Sequence, residues 1–337
     1  MKIGILGYGA WGHIHSEVIE SLERHELAAV ACKSEESAEE ARRDHPGALV
    51  SIDYNEIIER RDIDCIDVVL PTYLHVPAAI AALETGKHVL LEKPPAPGLE
   101  DAGRLLDAVS RSGKSLSLVH ELRCSDQWAG IKHRIADGEI GLPRYGLFNL
   151  FRFPYRSGKE GWRYEQEKVG SWVLEEPIHF IDLMLWYFAD AGKPQAVTAF
   201  GNTGENGLTR DFTAVFDFPG GAYGIVTQTL AGFEHHQVVE ITGEKGAIRS
   251  LWSGAMDRTD HPEFSVAYKS HESEDPDYED LTGPSGELFE IRRYISSALD
   301  KLEENVSLYP MEQEFELMKL CLFAEESLRM GKRIVLQ

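Results

Sequence analysis

Residues 3–12 read Ile3-Gly4-Ile5-Leu6-Gly7-Tyr8-Gly9-Ala10-Trp11-Gly12, an apolar run that ends in three glycines spaced G-x-G-x-x-G. Lys2 to Leu6 has the length and composition of a strand, and His15 to Leu22 repeats apolar residues at helical spacing. A strand that turns on glycines into a helix presents backbone amides to an anion. The first glycine permits the tight turn, the second lets a pyrophosphate approach the backbone, and the third lets helix and strand pack closely. Gly7, Gly9 and Gly12 fit those roles, with Ala10 and Trp11 between them. Three spaced glycines also occur in ordinary loops, but here they follow a strand and open a helix at the start of a strand–helix series. The stretch therefore predicts dinucleotide binding.

The alternation continues beyond it. Leu27 to Ala31, Leu49-Val50, Cys65 to Leu70, His88 to Leu91 and Ser115 to Val119 read as strands. Helical stretches separate them, among them Pro77 to Glu84 closed by Gly86, and Leu99 to Arg111. This rhythm predicts an α/β fold: a doubly wound parallel sheet of the Rossmann type over residues 1–121. From residue 122 the pattern changes to a helix reaching Asp137, punctuation at Gly138 and Gly141, and a strand from Tyr145 to Phe153. After a helix containing His179 come β-like segments at Ala196 to Gly201, Phe212 to Phe218, Ala222 to Leu230, Gln237 to Thr242 and Ala247 to Leu251. Residues 122–337 are expected to form an α+β domain with a largely antiparallel open sheet that binds substrate and oligomerises. Residues 270–286 are acidic and read as a solvated loop before helices at Glu287 to Leu302 and Met311 to Met330.

Composition narrows the partners. A formal net charge of −22 over 337 residues repels phosphate backbones and anionic lipid surfaces, so neither nucleic acid nor a membrane is expected as a partner. Cys32, Cys65, Cys124 and Cys321 are scattered with no C-x-x-C pair, which fits reduced thiols and no structural zinc. The N-terminal apolar run is too short and glycine-broken for a signal peptide, and a cytoplasmic location is expected. His235-His236 would point to opposite faces of a strand, so they complete no metal site, and a solvated or edge-strand role is expected.

The end of the second strand bears on which dinucleotide binds. An Asp or Glu there would hold the ribose 2′-hydroxyl of NAD, whereas a basic residue would meet the 2′-phosphate of NADP. The chain reads Cys32-Lys33-Ser34, a charge and a hydroxyl donor for a phosphate, so NADP(H) is preferred. In the competing reading Glu35 or Glu36 takes the ribose and NAD(H) binds.

After the strand at His88 stands Glu92-Lys93-Pro94, and Pro71-Thr72-Tyr73-Leu74-His75 follows the Cys65 strand. Both lie at strand C-termini, where open α/β sheets bind ligands. A lysine there can donate to a substrate hydroxyl and stabilise negative oxygen as a hydride leaves. Together with Gly-Tyr-Gly-Ala-Trp-Gly at 7–12, Glu-Thr-Gly-Lys-His-Val-Leu-Leu-Glu-Lys-Pro at 84–94, Gly-Glu-Ile-Gly at 138–141, Trp162-Arg163 and His-Phe-Ile-Asp-Leu-Met-Leu-Trp at 179–186, the sequence resembles the Gfo/Idh/MocA family along nearly its whole length. The resemblance implies NAD(P)-dependent oxidation or reduction of sugar-like alcohols, with Lys93 and His179 catalytic and an open C-terminal sheet that often forms the dimer interface. It implies that Arg123, Tyr155, Trp162 and Arg163 lie near a substrate pocket. Pro71, Thr72, His75, Glu92 and Lys93 are expected beside the cofactor. A homodimer or homotetramer is expected.

Where many members of the family carry Asp four residues before the catalytic histidine, this chain has Glu175, followed by Glu176 and Pro177. Pro177 disfavours helical geometry at Glu176, so the helix is expected to begin there, and Glu176 could be a helix-start residue with no catalytic part. Glu176-x-x-His179 has the spacing of a di-iron site, but no second copy accompanies it, and no metal is expected. His179 suits removal of a hydroxyl proton near neutral pH. Glu175 would orient or tune Lys93 or His179, or hydrogen-bond a second substrate hydroxyl. Two readings outside this chemistry share the fold: a non-catalytic NAD(P)-sensing regulator, and a glycoside-cleaving enzyme with a retained dinucleotide.

Overall fold

The structure is a computed structural model that describes residues 1–230, 232, 234–254, 259–281 and 283–336. The chain divides into two compact units, and the division is not a single cut. Met1–His120, Glu167–Gly170 and Ile291–Glu316 form the first; Glu121–Gln166, Ser171–Glu290 and Leu317–Gln337 form the second.

In the first unit β1 (Lys2–Leu6), β2 (Glu26–Ala31), β3 (Leu49–Ser51), β4 (Cys65–Val68), β5 (His88–Leu91) and β6 (Leu116–Leu118) make one sheet in the order β3-β2-β1-β4-β5-β6. Every pairing in it is parallel. The connecting helices are α1 (Ala10–Glu20), α2 (Glu35–Asp44), α3 (Tyr54–Ile58), α4 (His75–Glu84) and α5 (Leu99–Ser112). Strands β4, β5 and β6 are buried at every position, which is why they read as unbroken apolar runs. The strand order reverses between β1 and β4, so the loops after these two strands flank the crevice where such sheets bind ligands.

The second unit begins with a 3₁₀ turn at Glu121–Cys124, then α6 (Asp126–Ala136) and β7 (Pro143–Phe151). The one-turn α7 (Gln166–Val169) lies almost wholly in the first unit, and α8 (Pro177–Tyr187) follows it. Strands β8 (Ala196–Thr203), β9 (Thr209–Asp217), β10 (Tyr223–Thr229), β11 (His235–Gly243), β12 (Gly246–Gly254), β13 (Glu263–Ser270) and β14 (Asp277–Tyr278) come next. Helices α9 (Glu287–Glu303) and α10 (Met311–Met330) and the short β15 (Ile334–Val335) end the chain. The nine strands run β14-β13-β12-β11-β7-β10-β9-β8-β15, antiparallel except for the parallel pair β7 and β10. Nine of the eleven residues of α8 are buried, and the helix packs on β7, β10 and α6. One face of the sheet is thus covered by an all-round apolar helix.

Two expectations need correction. Within residues 270–286, expected as a solvated loop, Asp277–Tyr278 pairs with the strand Glu263–Ser270, which the sequence reading did not identify; Thr282 in that stretch lies outside the described residues. His235 and His236 sit on an interior strand, not an edge. His235 is 2% exposed and meets the Trp252 ring, while His236 stacks on Phe151 at 4.4 Å. The four cysteines are free thiols, and no described helix is long and apolar enough to cross a membrane.

Candidate functional site

In the first unit two of the three glycines are required by the backbone itself. Gly7 holds φ +106°, a region costly for other residues, and a Cβ there would run into the Val69 carbonyl. A Cβ on Gly12 would strike the Gly7 carbonyl, so the third glycine is required for helix and turn to close on each other. A Cβ on Gly9 would meet nothing, and Gly9 and Ala10 are exposed. No side chain caps α1 and its first turn carries no acidic residue, which leaves its N-terminal amides available for a pyrophosphate. Trp11 is half-buried on this turn. These features fit the dinucleotide that the sequence predicts.

At the end of β2, Lys33 is exposed and Ser34 is the N-cap of α2. The Ser34 hydroxyl accepts from Ser37 N at 3.4 Å and lies 3.1 Å from Ser37 Oγ, a capping box that the sequence reading did not anticipate. Tyr8 stands behind the turn and donates to Asp44 Oδ2 at 3.0 Å. His13, Glu40 and Asp44 are the one group of such side chains among the described residues whose donor atoms lie close enough together to hold a metal ion, and Asp44 is exposed.

The loops after β4 and β5 are joined by buried charge. The Lys93–Pro94 peptide is cis, and Lys93 itself is half-buried. Glu92 is 9% exposed; its Oε2 accepts the Lys93 amide at 3.1 Å and its Oε1 lies 3.1 Å from His15 Nε2. The other ring nitrogen of His15 meets Asp67 Oδ2 at 2.8 Å. Burial works against the Glu92 charge, yet the hydrogen bond from His15 and its charge hold that carboxyl below its usual range. His75, the first residue of α4, is 1% exposed, with Nδ1 2.7 Å from Pro94 O and Nε2 2.7 Å from Leu70 O. Thr72 is buried and Pro71 half-buried on the same loop. Glu92 and His75, expected beside the cofactor, lie inside the frame that carries the loops.

In the second unit His179 sits on α8 and is 3% exposed. Its Nε2 lies 3.6 Å from Oε1 of Glu121, a buried residue of the Glu121–Cys124 turn. The neighbouring carboxylates have arginines against them. Glu175 Oε2 is 3.0 Å from Arg163 Nε, and Glu176 Oε1 is 2.7 Å from Arg152 Nη1. Asp182 accepts from Arg123 through both carboxylate oxygens, with Arg123 Nε to Oδ2 at 2.7 Å.

The residues expected around a substrate divide into two groups. Trp162 and Arg163 are half-buried, with the Arg163 guanidinium 4.8 Å from the Trp162 ring centroid. Tyr155 is 4% exposed and donates to Gln228 at 2.7 Å, with the Arg152 guanidinium 4.1 Å above its ring. Arg123 is tied to Asp182 and lies over Trp186. Glu121 and Arg152 are absent from the sequence reading, and His15 enters it only as the start of a helix. For Glu121 a signal existed, since a carboxylate placed just after the buried strand β6 lies on the ligand-binding edge of a parallel sheet.

Comparison with known proteins agrees with this picture. The scyllo-inositol 2-dehydrogenase (NADP(+)) of Bacillus subtilis is 30% identical over 202 residues, 59% of this chain and 54% of that protein. The inositol 2-dehydrogenase/D-chiro-inositol 3-dehydrogenase of Lacticaseibacillus casei is 31% identical over 193 residues, 56% of this chain and 54% of that one. The match thus spans about half the length of these relatives. Among solved structures, levoglucosan dehydrogenase in complex with NADH and L-sorbose superposes with a TM-score of 0.82 at 22% identity, covering 100% of this chain and 99% of that one. The aldose-aldose oxidoreductase of Caulobacter crescentus does so with a TM-score of 0.83 at 18% identity, again over 100% and 99% of the two chains. At these identities the likeness speaks for the fold. The family model described as "Oxidoreductase family, NAD-binding Rossmann fold" matches residues 1–120, and that of the GFO/IDH/MocA C-terminal domain matches residues 128–249. With a glycine turn shaped for a dinucleotide in one unit and a histidine among carboxylates in the other, the chain belongs to the Gfo/Idh/MocA family of oxidoreductases.

Proposed function

We propose that the chain is an NADP(H)-dependent oxidoreductase that moves a hydride between the nicotinamide and a hydroxyl or keto carbon of a sugar, cyclitol or related polyol. The observation that carries this reading is the fixed Glu92-Lys93-Pro94 turn on the same sheet edge as the open glycine turn. The inositol dehydrogenases among the relatives support the polyol class. The bound coenzyme supplies a two-electron hydride acceptor. Lys93 donates to the substrate oxygen and steadies its developing charge, while His179 takes the hydroxyl proton. Glu121 stands against the His179 ring at Nε2 and orients it. Glu175 aligns Arg163, and Arg163 with Trp162 meets the remaining hydroxyls and C–H faces of the substrate. Arg123 and Tyr155 support that surface from behind. Preference for NADP(H) rests on exposed Lys33 and on the absence of a carboxylate at the end of β2, and Glu35 and Glu36 in the first turn of α2 are the residues an NAD-type ribose contact would use.

A screen of sugars and polyols with both coenzymes, read at the nicotinamide absorbance, tests the reading. Turnover is expected with NADP+, and Lys33→Ala should narrow the preference over NAD+. Lys93→Ala and His179→Ala should each lower kcat by about 10²-fold or more with coenzyme affinity nearly unchanged. Glu121→Gln should show a smaller loss. Coenzyme binding without turnover on any substrate would favour the regulator instead, and normal turnover in His179→Ala would refute the catalytic roles.

A further inference from the structure

His75 has contacts that a neutral imidazole cannot make. Both ring nitrogens lie 2.7 Å from backbone carbonyl oxygens, Nδ1 from Pro94 and Nε2 from Leu70. A carbonyl oxygen only accepts, and a neutral ring carries one N–H, so one of these contacts would set a nitrogen lone pair against an oxygen lone pair. Turning the ring over would put carbon atoms in both places. At 1% exposure a mismatched polar contact of this kind is unfavourable, whereas two charge-assisted donors at this distance are favourable.

The surroundings supply the countercharge. Glu92 is buried, and the nearby charge of His75 is among the influences that keep its carboxyl ionised, after those of His15 and Lys93. His15 bridges Glu92 and Asp67 through its two ring nitrogens. The buried carboxylates of Asp67 and Glu92, bridged by His15, thus stand on the side of the sheet edge where a charged His75 ring would sit, and Lys93 also acts on Glu92.

We propose that His75 is a doubly protonated clamp that ties the Leu70–Pro71 loop to the Lys93–Pro94 turn and so positions Lys93. Glu92 holds the Lys93 amide on one side of the residue, and His75 holds the carbonyl of Pro94 on the other. The lysine stem is thereby anchored at both flanks while its ammonium group stays on the half-buried edge. His75 is a positioning residue, and its role rests on the reading of Lys93 given above.

The test has two arms. In protein labelled with ¹⁵N-histidine, long-range proton–nitrogen spectra report the protonation of each ring nitrogen, with the His75 signals identified by their loss in His75→Gln. Both nitrogens are expected to carry protons at about pH 8, above the ordinary imidazole range. One bare ring nitrogen there overturns the clamp. In the kinetic arm His75→Gln, which keeps a single donor, should lower kcat by about tenfold to 10²-fold with the Kd of the coenzyme changed by less than about threefold. Unchanged kcat overturns the positioning role, as does a loss confined to coenzyme affinity. Should His75→Gln fail to fold by its melting curve, His75→Asn replaces it in both arms. Lys93→Ala separates the two readings: if it turns over normally the catalytic role of Lys93 fails, while the ring spectra still decide the charge of His75.

Discussion

His15 has no exposed surface, and its charge is worth following through pH. Burial pushes its pKa down, but the charge of Asp67 and the hydrogen bonds with Asp67 and Glu92 outweigh burial and carry it from 6.5 up to about 10. A histidine raised on folding contributes stability that is complete below its unfolded pKa and fades as pH climbs to the folded one. The contribution of His15 should therefore be full up to pH 6.5 and vanish by about pH 10. Glu92, whose carboxyl is lowered, has the opposite sign: its contribution is present above the usual carboxylate range and is lost as pH falls. The difference in melting temperature between the wild-type chain and His15→Gln is thus expected to be largest near pH 6.5 and to shrink toward about pH 10. A difference that widens on the alkaline side would mean the ring is neutral in the folded chain. Nothing in the sequence around His15 shows this network, because its partners lie on β4 and at the end of β5.

Helix α8 begins as its sequence predicts, with Glu176 at the N-cap and Pro177 in the first turn. Glu176 does more than start the helix, since its carboxylate meets Arg152, and both side chains are largely buried. Glu176→Gln would remove a charged partner that stands 2.7 Å from that guanidinium. A loss of about 3 kcal/mol in unfolding free energy is expected, read from urea titration, with turnover per folded molecule little changed. Glu175→Gln should do the reverse, lowering turnover through Arg163 more than stability. Equal stability loss in both variants would show that the two carboxylates have one role. The helix itself was legible because it is apolar on every side, as β5 was because all four of its residues are buried. The arginines opposite the carboxylates were not, because Arg152 follows β7 and Arg163 lies in a 3₁₀ segment, and only folding brings them to α8. Strand β13 escaped notice for a different reason: Glu263-Phe-Ser-Val-Ala-Tyr-Lys-Ser270 has charged ends and only one fully buried residue, so no strong period-2 signal marks it. The start of α1 at Ala10, ahead of the expected His15, was hidden by Gly12, which is poor in helices and is required here by close packing.

The nine-stranded sheet packs α8 on one face, and its other face is half-buried to exposed along β7, β10 and β11. On that other face Tyr145 pairs with Tyr223, Leu147 with Ile225, and Ile225 with Val215 across neighbouring strands. Tyr223 and Leu251 are 40% and 42% exposed, and Phe200 reaches 68% on β8. These exposed aromatic and aliphatic side chains on one sheet face are expected to meet a second copy of the chain, giving a homodimer or homotetramer. Light scattering at micromolar concentration should return a multiple of 37.8 kDa, and Ile225→Asp should shift it toward that mass. A monomeric wild-type chain would contradict this. The division of the chain has a different consequence, for synthesis. Tyr294 donates to the carbonyl of Leu118, Leu308 N donates to Ser117 Oγ at 2.9 Å, and His120 meets Glu314 at 2.7 Å, so the last strand of the parallel sheet is closed by residues 291–316. On the ribosome the parallel-sheet unit therefore stays unfinished after its six strands have emerged, until residues 291–316 follow them.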